Sequence, residues 1–366
     1  MTKADTRSSW IVVETMGSRT PTLVFDTDRT KNFGSINRRR HHQGDVVGAA
    51  LRELVEEVRI GRQPGMRAVH PKSAPRTYLF GLPVFGPDDR VFAVQVLVSP
   101  DDDVEQVVLG KRAVGAFEWD PINQITYHGP TIETEILGVI DDPQVERVSP
   151  EIFKHFDEFP KMAELGAFIA EMGSRAVTDD DTFDSDLLMT GVDGRQRSAY
   201  MTFRAVSRGS DPWLMRGVVH DISDVRPPSA SAGFNAALVR TAFTVADPPE
   251  NSGIGHLNFP AKVITEWFHE PPAPLDRWAS ENAVFHDADQ GLFDEQLEIV
   301  ATGVAPDATF DVRVRFADTD WMTTTVHVRA ALPGDLAQGL IRVTPVSPGP
   351  GQPPPAAPDT GTTRRS

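Results

Sequence analysis

Three times along this chain a pair of strand-like runs closes around an Asp-bearing turn, and no other feature constrains the fold as much. The first pair, Arg76 to Phe85 and Arg90 to Ser99, is joined by Gly86, Pro87, Asp88 and Asp89. Val, Phe and Leu alternate through Val91 to Val98, as in a half-buried strand. The second pair is Arg197 to Ser207 and Trp213 to Ile222, around Gly209, Ser210, Asp211 and Pro212. The third is Thr309 to Phe316 and Trp321 to Ala330, across Ala317, Asp318, Thr319 and Asp320. In the last two pairs a Trp follows the turn and a Val-His step comes later, Val219-His220 and Val326-His327.

Helical stretches precede each pair. Val46 to Ile60 places apolar residues three and four apart, as an amphipathic helix does. Ser149-Pro150 suits the start of a helix to His155, and Lys161 to Met172 follows. Phe259-Pro260 opens a helix over Ala261 to His269, with further turns at Leu275 to Glu281 and Gln290 to Val300. Strands are expected at Trp10 to Thr15, Thr22 to Asp26, Ile132 to Ile140 and Val239 to Ala246. The recurrent order predicts an α+β chain of three domains in series, each an antiparallel sheet with helices on one face and a pocket between the layers. Boundaries fall near His128 and in the Pro- and Ser-rich stretch Arg226 to Gly233, giving domains 1–128, 129–228 and 229–346. From Ser347 to Ser366 the chain is a Pro-rich tail with almost no apolar side chains, expected to be disordered.

Charge and composition exclude several roles. With 36 Lys+Arg against 52 Asp+Glu the formal charge is -16, so a phosphate backbone would be repelled and nucleic acid is not an expected partner. No cysteine is present, which removes thiolate chemistry and cysteinyl metal sites and fits a reducing cytoplasm. Met1 to Ser9 lacks an apolar core for a signal peptide, and no apolar run is long enough for a membrane span. The expected location is cytoplasmic.

Arg216-Gly217-Val218-Val219-His220-Asp221-Ile222-Ser223 resembles the last strand of PAS domains, and Gly191-Val192-Asp193-Gly194-Arg195 resembles the Asp-Gly turn those domains place between earlier strands. From Trp10-Ile11-Val12-Val13-Glu14-Thr15 to about Val346 the chain resembles an actinobacterial, chiefly mycobacterial, group of triple sensor-domain proteins, a GAF-like domain followed by two PAS domains. The third block departs from the pattern, with Val328-Arg329-Ala330-Ala331 in place of the Asp-Ile-Ser ending. The resemblance implies a non-enzymatic cytosolic sensor or scaffold without an output domain, acting on a protein signalling partner and able to hold a small-molecule or lipid ligand. It names no cofactor.

The alternative is a metal-dependent hydrolase of nucleoside diphosphate derivatives. Arg52-Glu53-Leu54-Val55-Glu56-Glu57 matches the core of the Nudix box, and its three Glu could gather a hard cation from one helical face. The box needs Gly where Arg59 stands, and Glu and Gly where the chain has Gly44 and Arg38. The basic cluster Arg38-Arg39-Arg40-His41-His42 is either a solvated loop or an anion contact. The histidines show no metal-site spacing beyond adjacent His41 and His42, and a structural role is expected for His220 and His327. Tyr200, Phe203, Trp213, Trp267, Phe310 and Trp321 are the candidates for lining an apolar ligand pocket, or for filling a core.

Overall fold

The computed structural model describes residues 8–17, 20–36, 45–70, 76–103, 107, 110–208, 211–228, 251–332 and 335–346. They form three mostly antiparallel sheets with few helices, a more β-rich architecture than the α+β class expected from the sequence. The first contains β1 (Ser9–Glu14), β2 (Thr22–Asp26), β3 (Arg29–Ser35), β4 (Gly65–Val69), β5 (Thr77–Phe85) and β6 (Val91–Ser99), ordered β3-β2-β1-β6-β5-β4, with α1 (Asp45–Gly61) between β3 and β4 in the chain.

The second sheet has seven strands. These are β7 (Val114–Asp120), β8 (Ile125–His128), β9 (Glu146–Val148), β10 (Phe156–Glu158), β11 (Thr182–Thr190), β12 (Gln196–Arg208) and β13 (Asp211–Asp221), ordered β10-β11-β12-β13-β7-β8-β9. A π-helical turn (Ile132–Ile136), α2 (Ser149–Phe153) and α3 (Met162–Ser174) are threaded through it. The third sheet is β14 (Gly253–Asn258), β15 (Val263–His269), β16 (Val284–Phe285), β17 (Asp307–Arg315), β18 (Met322–Leu332) and β19 (Asp335–Pro345), ordered β15-β14-β19-β18-β17-β16, with α4 (Asp287–Ala301) before β17.

One topological rule runs through all three. The first and last strands of each segment, β1 with β6, β7 with β13 and β14 with β19, are neighbours inside the sheet, and the second strand flanks the first. The three hairpins expected from the sequence are β5-β6, β12-β13 and β17-β18, and the Gly191 to Arg195 turn joins β11 to β12.

Two expected elements change type. Ile132 to Ile140 begins as a π-helical turn rather than a strand, because Ile132, Ile136 and Leu137 share a face only at helical spacing. Ala261 to His269 is mainly β15 rather than a helix. Val263, Ile264 and Thr265 are β-branched and Trp267 and Phe268 aromatic, residues that favour extended backbone, and Phe259-Pro260 belongs to the turn before them. Leu275 to Glu281 contracts to a single 3-10 turn, Asp276–Ala279. The boundary expected near His128 is not a sheet boundary, since β7 and β8 lie upstream of it and pair within the second sheet. The expected strand Val239 to Ala246, the linker residues Ser229 to Gly233, the cluster Arg38 to His42 and the tail 347–366 lie outside the described residues.

The chain divides into two compact units, residues 1–246 with 257–266 and residues 247–256 with 267–366. In the first unit side-chain alternation sorts the strands into layers. Ile11 and Val13 of β1, with Val94, Val96 and Val98 of β6, share a core with Leu51, Leu54, Val55 and Val58 of α1. Val12, Val24, Phe25 and Ala93 point the other way and form a second core with Val114, Ala116, Tyr200, Val218 and Ile222 of the second sheet. That sheet turns Phe117, Trp119, Met201, Phe203 and Val219 to its far face, under the π-helical turn, α2 and α3. The unit is therefore helix, sheet, sheet, helices. A buried ion pair crosses its middle: Arg204 of β12 donates to Glu14 of β1 from Nη2 at 2.6 Å and from Nε at 3.2 Å. In the other unit, Phe310, Val312 and Val314 of β17 and Val326 and Val328 of β18 are buried with Phe293, Leu297 and Val300 of α4.

Candidate functional site

The far face of the second sheet does not fill completely. Between it and its helices lies an aromatic chamber of about 60 Å³. Its floor comes from alternate positions on four adjacent strands: Phe117 and Trp119 of β7, Val219 of β13, Met201 and Phe203 of β12, and Leu187 and Met189 of β11. Its roof comes from Ile132 and Ile136 of the π-helical turn, Phe153 of α2, Leu165 of α3, and Phe156 and Phe159 between those helices.

Local sequence makes the room. Gly217 stands opposite Phe117 in the β13-β7 register, and a Cβ there would collide with the ring, so glycine lets Phe117 lie across β13. Gly115 does the same for Ile132, whose Cδ1 is 2.6 Å from where a Cβ would be.

The rings form a connected set. Phe153 meets Trp119 edge-on at 5.6 Å and Phe156 edge-on at 5.3 Å, and it stacks on Phe159 at 6.4 Å. Phe183 stacks on Phe203 at 5.0 Å. These offset and edge contacts favour one arrangement of the rings over others. Trp119 Nε1 donates to Ser149 Oγ at 3.2 Å, and that hydroxyl donates to the Gln124 carbonyl at 3.1 Å, so the indole that lines the chamber is fixed by its N–H.

One wall is polar. His128 of β8 lines the chamber beside Thr126, and its Nδ1 lies 2.5 Å from Glu133 Oε1. Arg147 of β9 donates to both oxygens of the same carboxylate, Nε to Oε1 at 2.9 Å and Nη2 to Oε2 at 2.8 Å. Burial alone would raise the Glu133 pKa, but the hydrogen bonds from Arg147 and His128 outweigh it and hold the group at about 2. The carboxylate is thereby fixed as an anion, and His128, which lines the cavity, is held against it.

The six aromatic candidates scatter. Phe203 lines the chamber. Tyr200, three residues earlier on the same strand, faces the opposite way into the inter-sheet core. Its hydroxyl donates to Asp184 Oδ2 at 3.0 Å, and burial followed by the Asp184 charge pushes its pKa up. Trp213 is half-buried beside the chamber's core and its Nε1 has no partner among the described residues. On the third sheet, Trp267 donates from Nε1 to the Trp278 carbonyl at 3.2 Å, Phe310 packs edge-on to Phe293 at 6.0 Å, and Trp321 lies between His286 at 4.9 Å and the Arg315 guanidinium at 4.6 Å. Sequence reasoning missed Phe117, Trp119 and the His128-Glu133-Arg147 set. It also missed Phe153, Phe156 and Phe159, whose regular spacing of three was the available signal.

The carboxylates of α1 do not converge. Arg67 bridges Glu53 at 2.7 Å and Glu57 at 2.9 Å, while Glu56 turns to Arg59, whose hydrogen bond lowers its pKa. Among the described residues no three His, Asp or Glu side chains are placed to hold a metal ion, and no helix is long and apolar enough to cross a membrane.

Residues 9–105, which span α1 and the first sheet, match a family model described as Rv3651-like, N-terminal. No curated relative matches the sequence. Among solved structures the chain is similar to an uncharacterized protein from Mycobacterium tuberculosis, at 18% identity and a TM-score of 0.61, over 93% of this chain and 96% of that one. That likeness shows a fold shared over nearly the whole length. A sensory box histidine kinase/response regulator from Burkholderia thailandensis aligns at 17% identity over 38% of this chain and 99% of its own, with a TM-score of 0.25. An RNA-binding light-oxygen-voltage receptor aligns at 11% identity over 64% and 95%, with a TM-score of 0.24. Only the first of the three bears on the fold.

Proposed function

We propose that the chain is a non-enzymatic cytoplasmic sensor of three sensor-type domains in series, GAF-like over β1 to β6 and PAS-like over β7 to β13 and over β14 to β19. Its second domain takes a small apolar molecule and passes the change to a protein partner. The aromatic chamber under the second sheet carries this reading. Its lining offers shape and apolar surface, with Thr126 and His128 at one wall to orient a guest, and this is the make-up of a binding cavity. At about 60 Å³ the chamber takes a guest of a few atoms as it stands. Met189 and Met201, unbranched and adaptable, can re-pack to admit a single ring.

The topology supplies a route for the signal. β7 and β13 are hydrogen-bonded neighbours that each face both ways: Phe117, Trp119 and Val219 towards the chamber, Val114, Ala116 and Val218 towards the first sheet. A guest that displaces Phe117 therefore strains the inter-sheet core through the same two strands. Thermal unfolding of the full chain with benzene as probe tests the reading. Benzene is expected to raise the melting temperature of the natural chain, and to leave unchanged that of Leu187→Phe, which fills the chamber. No rise in the natural chain, or an equal rise in the variant, contradicts it.

A further inference from the structure

The first compact unit has a second cavity that shares no residue with the aromatic chamber. It is an open cleft of about 510 Å³, within the usual range for small-molecule sites, and both sheets of the unit contribute to it. In a chain of net charge -16, the cleft is lined among the described residues by four arginines, Arg59, Arg62, Arg90 and Arg216, against one carboxylate, Asp179.

The arginines are not equally occupied. Arg59 is held by Glu56 at 2.9 Å and also complements the carbonyl end of α1. Arg90 bonds to Asp88 and lies 3.4 Å from Glu118. Arg216 donates from Nε to Glu118 Oε1 at 2.8 Å, so one buried carboxylate serves two guanidiniums. Among the described residues the terminal nitrogens of Arg216 donate to no protein acceptor, and the Arg62 guanidinium donates only to the Asp89 carbonyl. Both are nonetheless held in place. Arg62 sits in a left-handed residue just past α1, with its backbone N–H on the Val58 carbonyl at 2.8 Å, and Arg216 lies over the buried Phe92 ring at 5.6 Å.

We propose that this cleft binds a small organic anion, its phosphate or carboxylate head held by Arg62 and Arg216 and its apolar body against Phe92 and Met16. The forked guanidinium matches the paired oxygens of either head, and a charge-assisted bond is the stronger kind. The inference does not rest on the chamber being occupied. A bound anion would bridge Arg62 of the first sheet's layer and Arg216 of the second's, a second input at the joint between them.

Isothermal titration of the full chain with phenyl phosphate, phenylacetate and inorganic phosphate tests it. Saturable binding of one phenyl anion per chain is expected, tighter than inorganic phosphate, and the two phenyl compounds decide between phosphate and carboxylate. Arg62→Gln and Arg216→Gln should each weaken binding about tenfold, whereas Arg29→Gln, on exposed β3 and outside the cleft, should leave it unchanged. Absence of saturation by all three probes up to about 10 mM overturns the proposal. So does an equal loss in Arg29→Gln, which would mark general charge attraction, and inorganic phosphate binding as tightly as phenyl phosphate overturns the role given to Phe92 and Met16.

Discussion

His220 is fully buried in the core between the first two sheets, edge-on to Phe25 at 5.2 Å and to Tyr200 at 5.7 Å, and neither ring nitrogen has a hydrogen-bond partner among the described residues. Burial first, and then the Arg112 guanidinium, push its pKa down to about 3, against a smaller upward pull from Asp224. The ring is thus neutral when folded. Between pH 6.5 and about 3 the unfolded chain binds the proton that the folded chain refuses, so stability is full above that window and falls as pH drops through it, by up to about 1.4 kcal/mol per unit. Replacing the ring by His220→Leu removes both the titration and two unsatisfied nitrogens. Urea unfolding across that window should show a flatter pH profile for the variant and, at neutral pH, a stability equal to or about 1 kcal/mol above the natural chain. A variant that keeps the natural slope would place the acid sensitivity elsewhere. At this scale the sequence said little about the site. Tyr200 and Phe203 read as equivalent aromatics, yet three positions along a strand reverse the face, and only pairing reveals which face a chamber occupies.

Elements were legible where their pattern is local. The hairpins β5-β6, β12-β13 and β17-β18 and the amphipathic α1 follow from alternation or helical spacing over nine or more residues. β9 and β10 have three residues each, too few for a period, and β7 is buried on both faces, so it shows no alternation and pairs with β13 far along the chain. That pairing makes a fragment of residues 129–228 incomplete: it lacks β7 and β8, leaving β13 an unpaired edge and the chamber without Phe117 and Trp119. Circular dichroism on heating should show no cooperative transition for 129–228 and a cooperative one for 8–228, which keeps the first two sheets whole. Cooperative melting of 129–228 alone would contradict the assignment of β7 to the second sheet.

Across the whole molecule, the sequence carried the number of repeats but not their closure. Three turns and three hairpins count three sheets, whereas the meeting of first and last strands inside each sheet is a long-range pairing that no local pattern encodes. In the first unit that closure produces two cores on opposite faces of β7 and β13, and it gives the chamber a mechanical neighbour. The chain has nine methionines, of which Met189 and Met201 line the chamber. Methyl NMR of the full chain labelled at methionine, titrated with xenon, therefore reads the chamber directly. The expected result is a saturable shift of the Met189 and Met201 methyls in the natural chain and its loss in Leu187→Phe; unmoved methyls, or shifts of the same size at all nine, would contradict a binding cavity there.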